Sequence, residues 1–262
     1  MITFSKLGSY GNLGNQLFQI AFITHFAEKY QLSYHLPQWE YAAYFNYPFH
    51  FSANLPSSFD LVLHEPTEVY NEDYFVQYLS EMRAQNVDIE GYLQSYKYFS
   101  KAHILKVFQP NEKFKPIQVN SDKCIAISVR RGDFVEHPLY NNIEAVTFIE
   151  LLQHFRGFKV FVFSDDFNYC RKEFIGDQYE FMEGLSGIEQ LLTMRLFDYF
   201  LLSNSTFSYW GAMLSTNPKK IYYPYYMFPS LRMCNMYNKD YWPTDNESYM
   251  FYINPLNKRY YV

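Results

Sequence analysis

The chain has 262 residues, enough for one large domain or two small ones with real cores. Hydrophobic residues make up 48% and charged residues 19%, a globular composition rather than a disordered one. The net charge of -5 and the lack of any lysine–arginine block leave no electrostatic footprint for nucleic acid. Cys124, Cys170 and Cys234 are far apart and odd in number. They offer neither a disulfide framework nor a zinc spacing and suit a reducing compartment. Residues 1–7 are too short and polar for a secretory apolar region, and no run of ~18 apolar residues occurs. The expectation is a cytoplasmic chain, with room for a peripheral contact at the inner membrane face. Aromatics reach 21%. Tyrosine's flat face and polar tip suit sugar-lined clefts, although compositional bias accounts for the number equally well.

In chain order, Ile2–Leu7 suits a strand, Gly8–Gly14 a loop, and Asn15–Lys29 a helix, where Phe18, Phe22 and Phe26 with Leu17 and Ala21 give a 3.6-residue period. Gly8, Gly11 and Gly14, three residues apart, permit close backbone approach to a ligand. This is not the dinucleotide GxGxxG pattern. Asn15 and Gln16 fit a helix cap or a hydrogen bond to a sugar. Residues 36–80 are rich in Pro, Asn, Tyr and Phe without clear periodicity. Within them Trp39, Tyr41, Tyr44 and Tyr47 serve either as sugar-stacking faces or as lobe core. Phe108–Pro116, with two prolines and mixed charge, is the best hinge. It divides an N-terminal lobe, 1–115, on the acceptor side from a C-terminal lobe, 116–262, on the nucleotide side.

After the hinge the pattern becomes regular. Strands are expected at Cys124–Val129, Phe158–Ser164, Tyr179–Met182, Tyr199–Ser203 and finally Lys220–Tyr223. Helices are expected at Glu144–Phe155, 167–174, Ile188–Phe197 and Thr206–Leu214. This alternation implies a parallel sheet with crossover helices, and hence two sheet-based lobes facing a cleft.

Ligands of open parallel sheets lie beyond the carboxyl ends of the strands. That rule gathers three polar endings. The first is Arg130-Arg131-Gly132-Asp133: guanidinium groups suit a bidentate anion such as phosphate. Adjacent side chains point apart, so Arg130 is expected on the anion and Arg131 as a brace, through Asp133. The second is Ser164-Asp165-Asp166, fit for a guanine edge, a ribose hydroxyl, a divalent metal or a helix N-cap. The third is Ser203-Asn204-Ser205-Thr206-Phe207-Ser208, small hydroxyl residues entering a helix whose free amides and dipole favour phosphate; simple capping is the plainer reading. No Walker lysine follows. His137, just past the arginines, is a candidate for lining the cleft, and no Ser/His/Asp set can be assembled.

Together GNLGNQLFQIAF, GYLQSYKYF (Gly91–Phe99), SVRRGDF and DYFLLSNSTFSYWGAML (Asp198–Leu214) resemble the family 11 glycosyltransferases, the inverting α-1,2-fucosyltransferases that use GDP-fucose; KDYWPTD is a weaker echo. The resemblance implies an α/β, GT-B-like pair of Rossmann-like lobes with parallel sheets facing a central cleft. It implies no metal and no cofactor, only the donor substrate GDP-β-L-fucose. Arg130 would hold the diphosphate, and Asn15 would lie by the fucose and the acceptor. Asp166, less so Asp165, would read the guanine; Ser205, Thr206, Phe207 and Ser208 would offer donors to the phosphates. Ser128, Arg131, Asp133, Ser164, Gly11 and Gly14 complete the expected donor site. Ser128 departs from the family motif, which carries histidine there.

The expected reaction is transfer of L-fucose to the 2-hydroxyl of a galactose-terminated glycan with inversion, in surface-glycan or O-antigen synthesis. The alternatives are a fucosyltransferase of another linkage, such as α-1,6, and a non-catalytic sugar-nucleotide-binding protein.

Overall fold

The computed structural model describes residues 1–66, 70–82, 85–119, 123–138, 140, 142–224, 240–243, 250–254 and 259–261. The chain forms two compact units: Met1–Phe114 with Asn235–Pro243, and Lys115–Cys234 with Thr244–Val262. The return of Asn235–Pro243 to the first unit has no counterpart in the sequence reading.

The first unit is built on a parallel three-stranded sheet of order β1-β3-β2, with β1 at Ile2–Thr3, β2 at Leu61–His64 and β3 at Val87–Glu90. The strand expected over Ile2–Leu7 stops after two residues. The chain turns at once, with the Leu7 N–H on the Phe4 carbonyl at 3.1 Å and the Ser9 N–H on that of Lys6 at 3.0 Å. Ser5 is tied off by Asp88, which accepts its N–H at 2.8 Å and its hydroxyl.

Helix α1, Leu13–Tyr30, is two residues longer at its start than expected and is buried on nearly every side from Leu13 to Ala27. A helix apolar all round belongs inside a core rather than on its surface. Trp39 belongs to that core: its ring stacks on Phe45 at 5.6 Å and its Nε1 donates to Gln16 Oε1 at 2.8 Å. Helix α2, Glu72–Met82, begins in the stretch 36–80 that showed no clear period, and α3, Lys101–Val107, lies where no element was expected. The returning segment packs here too. Tyr241 lies 5.6 Å from the Phe18 ring, and Lys97 Nζ reaches Asp240 Oδ1 at 2.5 Å.

Among the described residues the second unit carries seven strands. They are β4 at Cys124–Val129, β5 at Lys159–Ser164, β6 at Tyr179–Phe181, β7 at Tyr199–Leu202, β8 at Lys220–Pro224, β9 at Met250–Asn254 and β10 at Arg259–Tyr261. Their order is β10-β9-β8-β7-β4-β5-β6; β10 runs antiparallel to β9 and every other pair is parallel. Helices α4 (Ala145–Leu152), α5 (Phe167–Glu173), α6 (Gly187–Met194) and α7 (Thr206–Met213) connect them. All six residues of β4 are buried, as expected of a central parallel strand covered on both faces. Ile125, Ile127, Val162, Phe148, Leu151 and Leu201 share its core cluster. The strand at Lys220–Pro224 is not the last: β9 and β10 extend the sheet beyond it.

Candidate functional site

From β4 the chain proceeds outward through β5 and β6, then crosses back to β7, β8 and β9 on the other side of β4. The strand order therefore reverses between β4 and β7, the position where open parallel sheets bind ligands. Ser128 pairs with Leu202 across this switch, and the Ser203 N–H continues the ladder onto the Ser128 carbonyl at 2.9 Å. On the other side of β4, Val129 pairs with Ser164. The three polar endings singled out in the sequence thus leave neighbouring strands at one end of one sheet.

They form two side-chain clusters. In the first, the Arg130 guanidinium is held by Asp165 through Nη1 and by Asp133 through Nη2. Asp165 Oδ1 also accepts the Arg131 N–H at 2.8 Å. An arginine has five N–H donors, so two carboxylate contacts fix its plane and leave donors for an anion. The brace differs from expectation: Asp133 holds Arg130, not Arg131. The Arg131 guanidinium lies 3.6 Å from the Tyr169 ring centre and donates to Glu144 Oε2 at 3.2 Å, which the Tyr169 hydroxyl also reaches at 2.8 Å. At Gly132 (φ +23°) the Asp165 carboxylate occupies the space of a side chain, since a Cβ would meet Asp165 Oδ2 at 2.5 Å.

In the second cluster Ser205 is the N-cap of α7 and accepts the Ser208 N–H at 3.1 Å. Ser208 Oγ lies 2.7 Å from Ser128 Oγ, 2.9 Å from Ser203 Oγ and 2.8 Å from Ser205 Oγ. All four serines are buried. Ser128 and Ser208, both expected on the nucleotide, therefore face each other. Thr206 and Phe207 are partly exposed at the start of the helix. Residue types alone could not reveal this mutual engagement; the spacing of Ser205 and Ser208, one helical turn, was the available signal.

Ser164 and Asp166 shape the third ending. Ser164 Oγ donates to the Val129 carbonyl at 2.8 Å and accepts the Asp166 N–H at 3.0 Å; Asp166 Oδ1 caps α5 through the Tyr169 N–H at 3.0 Å. Both aspartates are thus engaged. Among the described residues no group of three or more His, Cys, Asp or Glu side chains is placed to hold a metal ion. Burial pushes the Cys170 thiol up to about 11, so it is no thiolate nucleophile. His137 is exposed, with its ring 4.5 Å from that of Tyr140.

The remaining expected residues lie in the first unit. Gly11 (φ +89°) places its backbone so close to Asn15 that a Cβ would clash with that side chain. Asn15 Oδ1 accepts from Gln94 Nε2 at 2.9 Å, and Gln16 Nε2 donates to the Gly11 carbonyl at 3.0 Å. Gly14 is buried in α1. Asn15 and Gln16 thus brace the loop around helix α1 rather than capping it; the N-cap is Asn12, without a side-chain bond. Gln94 was missed, and the signal was its place in the GYLQSYKYF segment.

Among the described residues no helix is long and apolar enough to cross a membrane. An α-1,2-colitosyltransferase of Escherichia coli is 30% identical over 158 residues, covering 49% of this chain and 51% of that protein. The chain therefore spans about half the length of this curated relative. Three solved structures share the fold. A mutant of Arabidopsis thaliana FUT1 in complex with GDP has a TM-score of 0.59 at 16% identity, covering 88% of this chain and 71% of that one. POFUT1 in complex with GDP-fucose gives 0.53 at 13%, covering 85% and 97%. The fucosyltransferase NodZ from Bradyrhizobium gives 0.52 at 9%, covering 84% and 94%. The architecture is accordingly α/β and GT-B-like, with parallel sheets in Rossmann-like units. The family model described as "Glycosyl transferase family 11" matches residues 15–241, and the chain belongs to that family.

Proposed function

We propose that this protein is an inverting fucosyltransferase that moves L-fucose from GDP-β-L-fucose to the 2-hydroxyl of a galactoside. The observation that carries the reading is the reversal of strand order between β4 and β7, with Arg130 after one strand and the N-terminus of α7 after the other. A guanidinium fixed by two carboxylates and a helix start with free amides are both suited to a diphosphate. Family membership and the GDP-fucose bound by POFUT1 support the choice of donor. The α-1,2 linkage in the name of the E. coli relative supports the choice of hydroxyl.

In the reaction the bond from the sugar C1 to the β-phosphate oxygen breaks, and its electron pair leaves with GDP. The acceptor oxygen bonds to C1 from the opposite face and releases its proton. Negative charge grows on the diphosphate as the bond stretches. Groups already aimed at that charge stabilise the transition state more than the ground state. Arg130 and the amides around Thr206 have this role, without a metal. Ser205, Thr206 and Phe207 line the phosphates, and Asp166 or Asp165 takes the guanine. A galactose-terminated glycan of a surface polysaccharide, met at the inner membrane face, is the acceptor.

One observation favours a second donor. The relative at 30% identity is named for colitose, which is L-fucose without its 3-hydroxyl. Incubation with GDP-fucose or GDP-colitose and a set of galactosides, followed by product mass and linkage by NMR, tests both readings. An α-1,2-fucosylated product supports the first, and a product from GDP-colitose alone the second. Turnover in EDTA tests the metal-free reading, which fails if activity is lost and Mn²⁺ restores it.

A further inference from the structure

The four buried serines at the strand switch carry a consequence that depends only on counting protons. Each hydroxyl has one proton to donate and two lone pairs with which to accept. Ser208 Oγ touches the other three hydroxyl oxygens. It can donate to one of them and must accept from the remaining two. The serine that accepts from Ser208 keeps its own proton. That proton has no acceptor within the cluster, because its three contacts use only three of the four hydroxyl protons. A buried donor left unsatisfied is costly. Here it stands beside the first turn of α7, at the end of the sheet where the strand order reverses.

Ser208 itself is fully buried. Through its three partners it ties the end of β4 (Ser128), the end of β7 (Ser203) and the N-cap of α7 (Ser205) into one unit. Arg130 follows Ser128 by two residues. A change at Ser208 is therefore felt at both halves of the anion site without any contact between Ser208 and a ligand.

We infer that Ser208 is a positioning residue for the diphosphate of a nucleoside-diphosphate donor: it holds β4, β7 and α7 in register and leaves one neighbouring hydroxyl to donate to an anionic phosphate oxygen. The inference rests on the donor assignment proposed above. It replaces direct contact between Ser208 and the phosphates, and it gives Ser128 a defined role, as the strand-end partner of the hub, where the family motif has histidine.

The test compares the affinities of GDP and of guanosine, which lacks the phosphates, for the wild-type protein and the Ser208→Ala variant by titration calorimetry with competition. The expected result is that GDP binding weakens by about tenfold or more, the scale of one hydrogen bond to a charged group, while guanosine binding is unchanged. Equal weakening of both ligands, or none, overturns the inference. If Ser208→Ala does not fold, Ser128→Ala opens the same hub from the strand side and is read by the same ratio. Wild-type protein that fails to bind GDP refutes the donor assignment instead, so the two failures are separable.

Discussion

Asp165 accepts the backbone N–H of Arg131 at 2.8 Å, and with its other oxygen it grips the side chain of Arg130. One carboxylate thus fixes both the path of the chain after β4 and the plane of the guanidinium. Gly132 leaves the space that this carboxylate fills. Gly132→Ala should push Asp165 away and place alanine at positive φ. The expected cost is about 1–3 kcal/mol of stability, visible in denaturant unfolding, together with weaker GDP binding. Unchanged GDP affinity would separate Asp165 from donor binding.

Arg130→Ala should remove a group aimed at the departing diphosphate. Loss of one such donor lowers kcat by roughly 10²–10³, or about 2.7–4 kcal/mol. Because its partners Asp133 and Asp165 are both open to solvent, the melting temperature should change little. Near-normal turnover in a folded Arg130→Ala protein refutes the assignment.

Trp39 gives a contrasting expectation. Its indole is buried and hydrogen-bonded to Gln16. Trp39→Phe should cost about 1–3 kcal/mol of stability by leaving Gln16 Oε1 unpaired, with the acceptor KM unchanged. A rise in acceptor KM without loss of stability would return Trp39 to the role of a sugar-stacking surface.

The first unit should also be acid-sensitive through His103. Its Nε2 lies 2.9 Å from Thr24 Oγ1 and its Nδ1 lies 3.0 Å from Glu28 Oε2; the His25 ring packs 4.7 Å away, and Lys106 Nζ reaches Glu28 Oε1 at 3.1 Å. Burial first, then the neighbouring His25, depress the His103 pKa from 6.5 to about 4. Between those values the unfolded chain holds the proton and the folded chain does not, so stability rises with pH. It is fully present above 6.5 and is lost on acidification toward 4, by on the order of 3 kcal/mol. Burial lowers His25 in the same sense. Glu28, held below 4.5 chiefly by Lys106, adds in the same direction at lower pH. Thermal melts should show a steeper loss from pH 6.5 to 4.5 in the wild type than in His103→Gln; parallel curves would contradict the assignment.

The second unit was legible because β4, β5 and β7 are continuous apolar runs that end at polar loops. Burial on both faces writes that pattern directly into a sequence. The family motifs then pointed to Arg130 and to the start of α7. The first unit was less legible. Its strands are two to four residues long, too short to show a period, and its aromatic residues fill a core that composition could not tell from a binding surface. Strands β9 and β10 were missed although MFYIN is rich in strand-forming residues. The engagement of Asp133 by Arg130 and of Ser128 by Ser208 depends on side-chain direction after a strand ends, which the one-dimensional pattern does not carry.

The return of Asn235–Pro243 to the first unit bears on dissection of the chain. A recombinant fragment halted at Phe114 forfeits the Tyr241 ring against Phe18 and the Asp240 partner of Lys97. It exposes apolar surface on α1 that the intact chain covers. The two units therefore cannot be produced separately by one cut, and a bipartite version must graft the late segment back onto the early one.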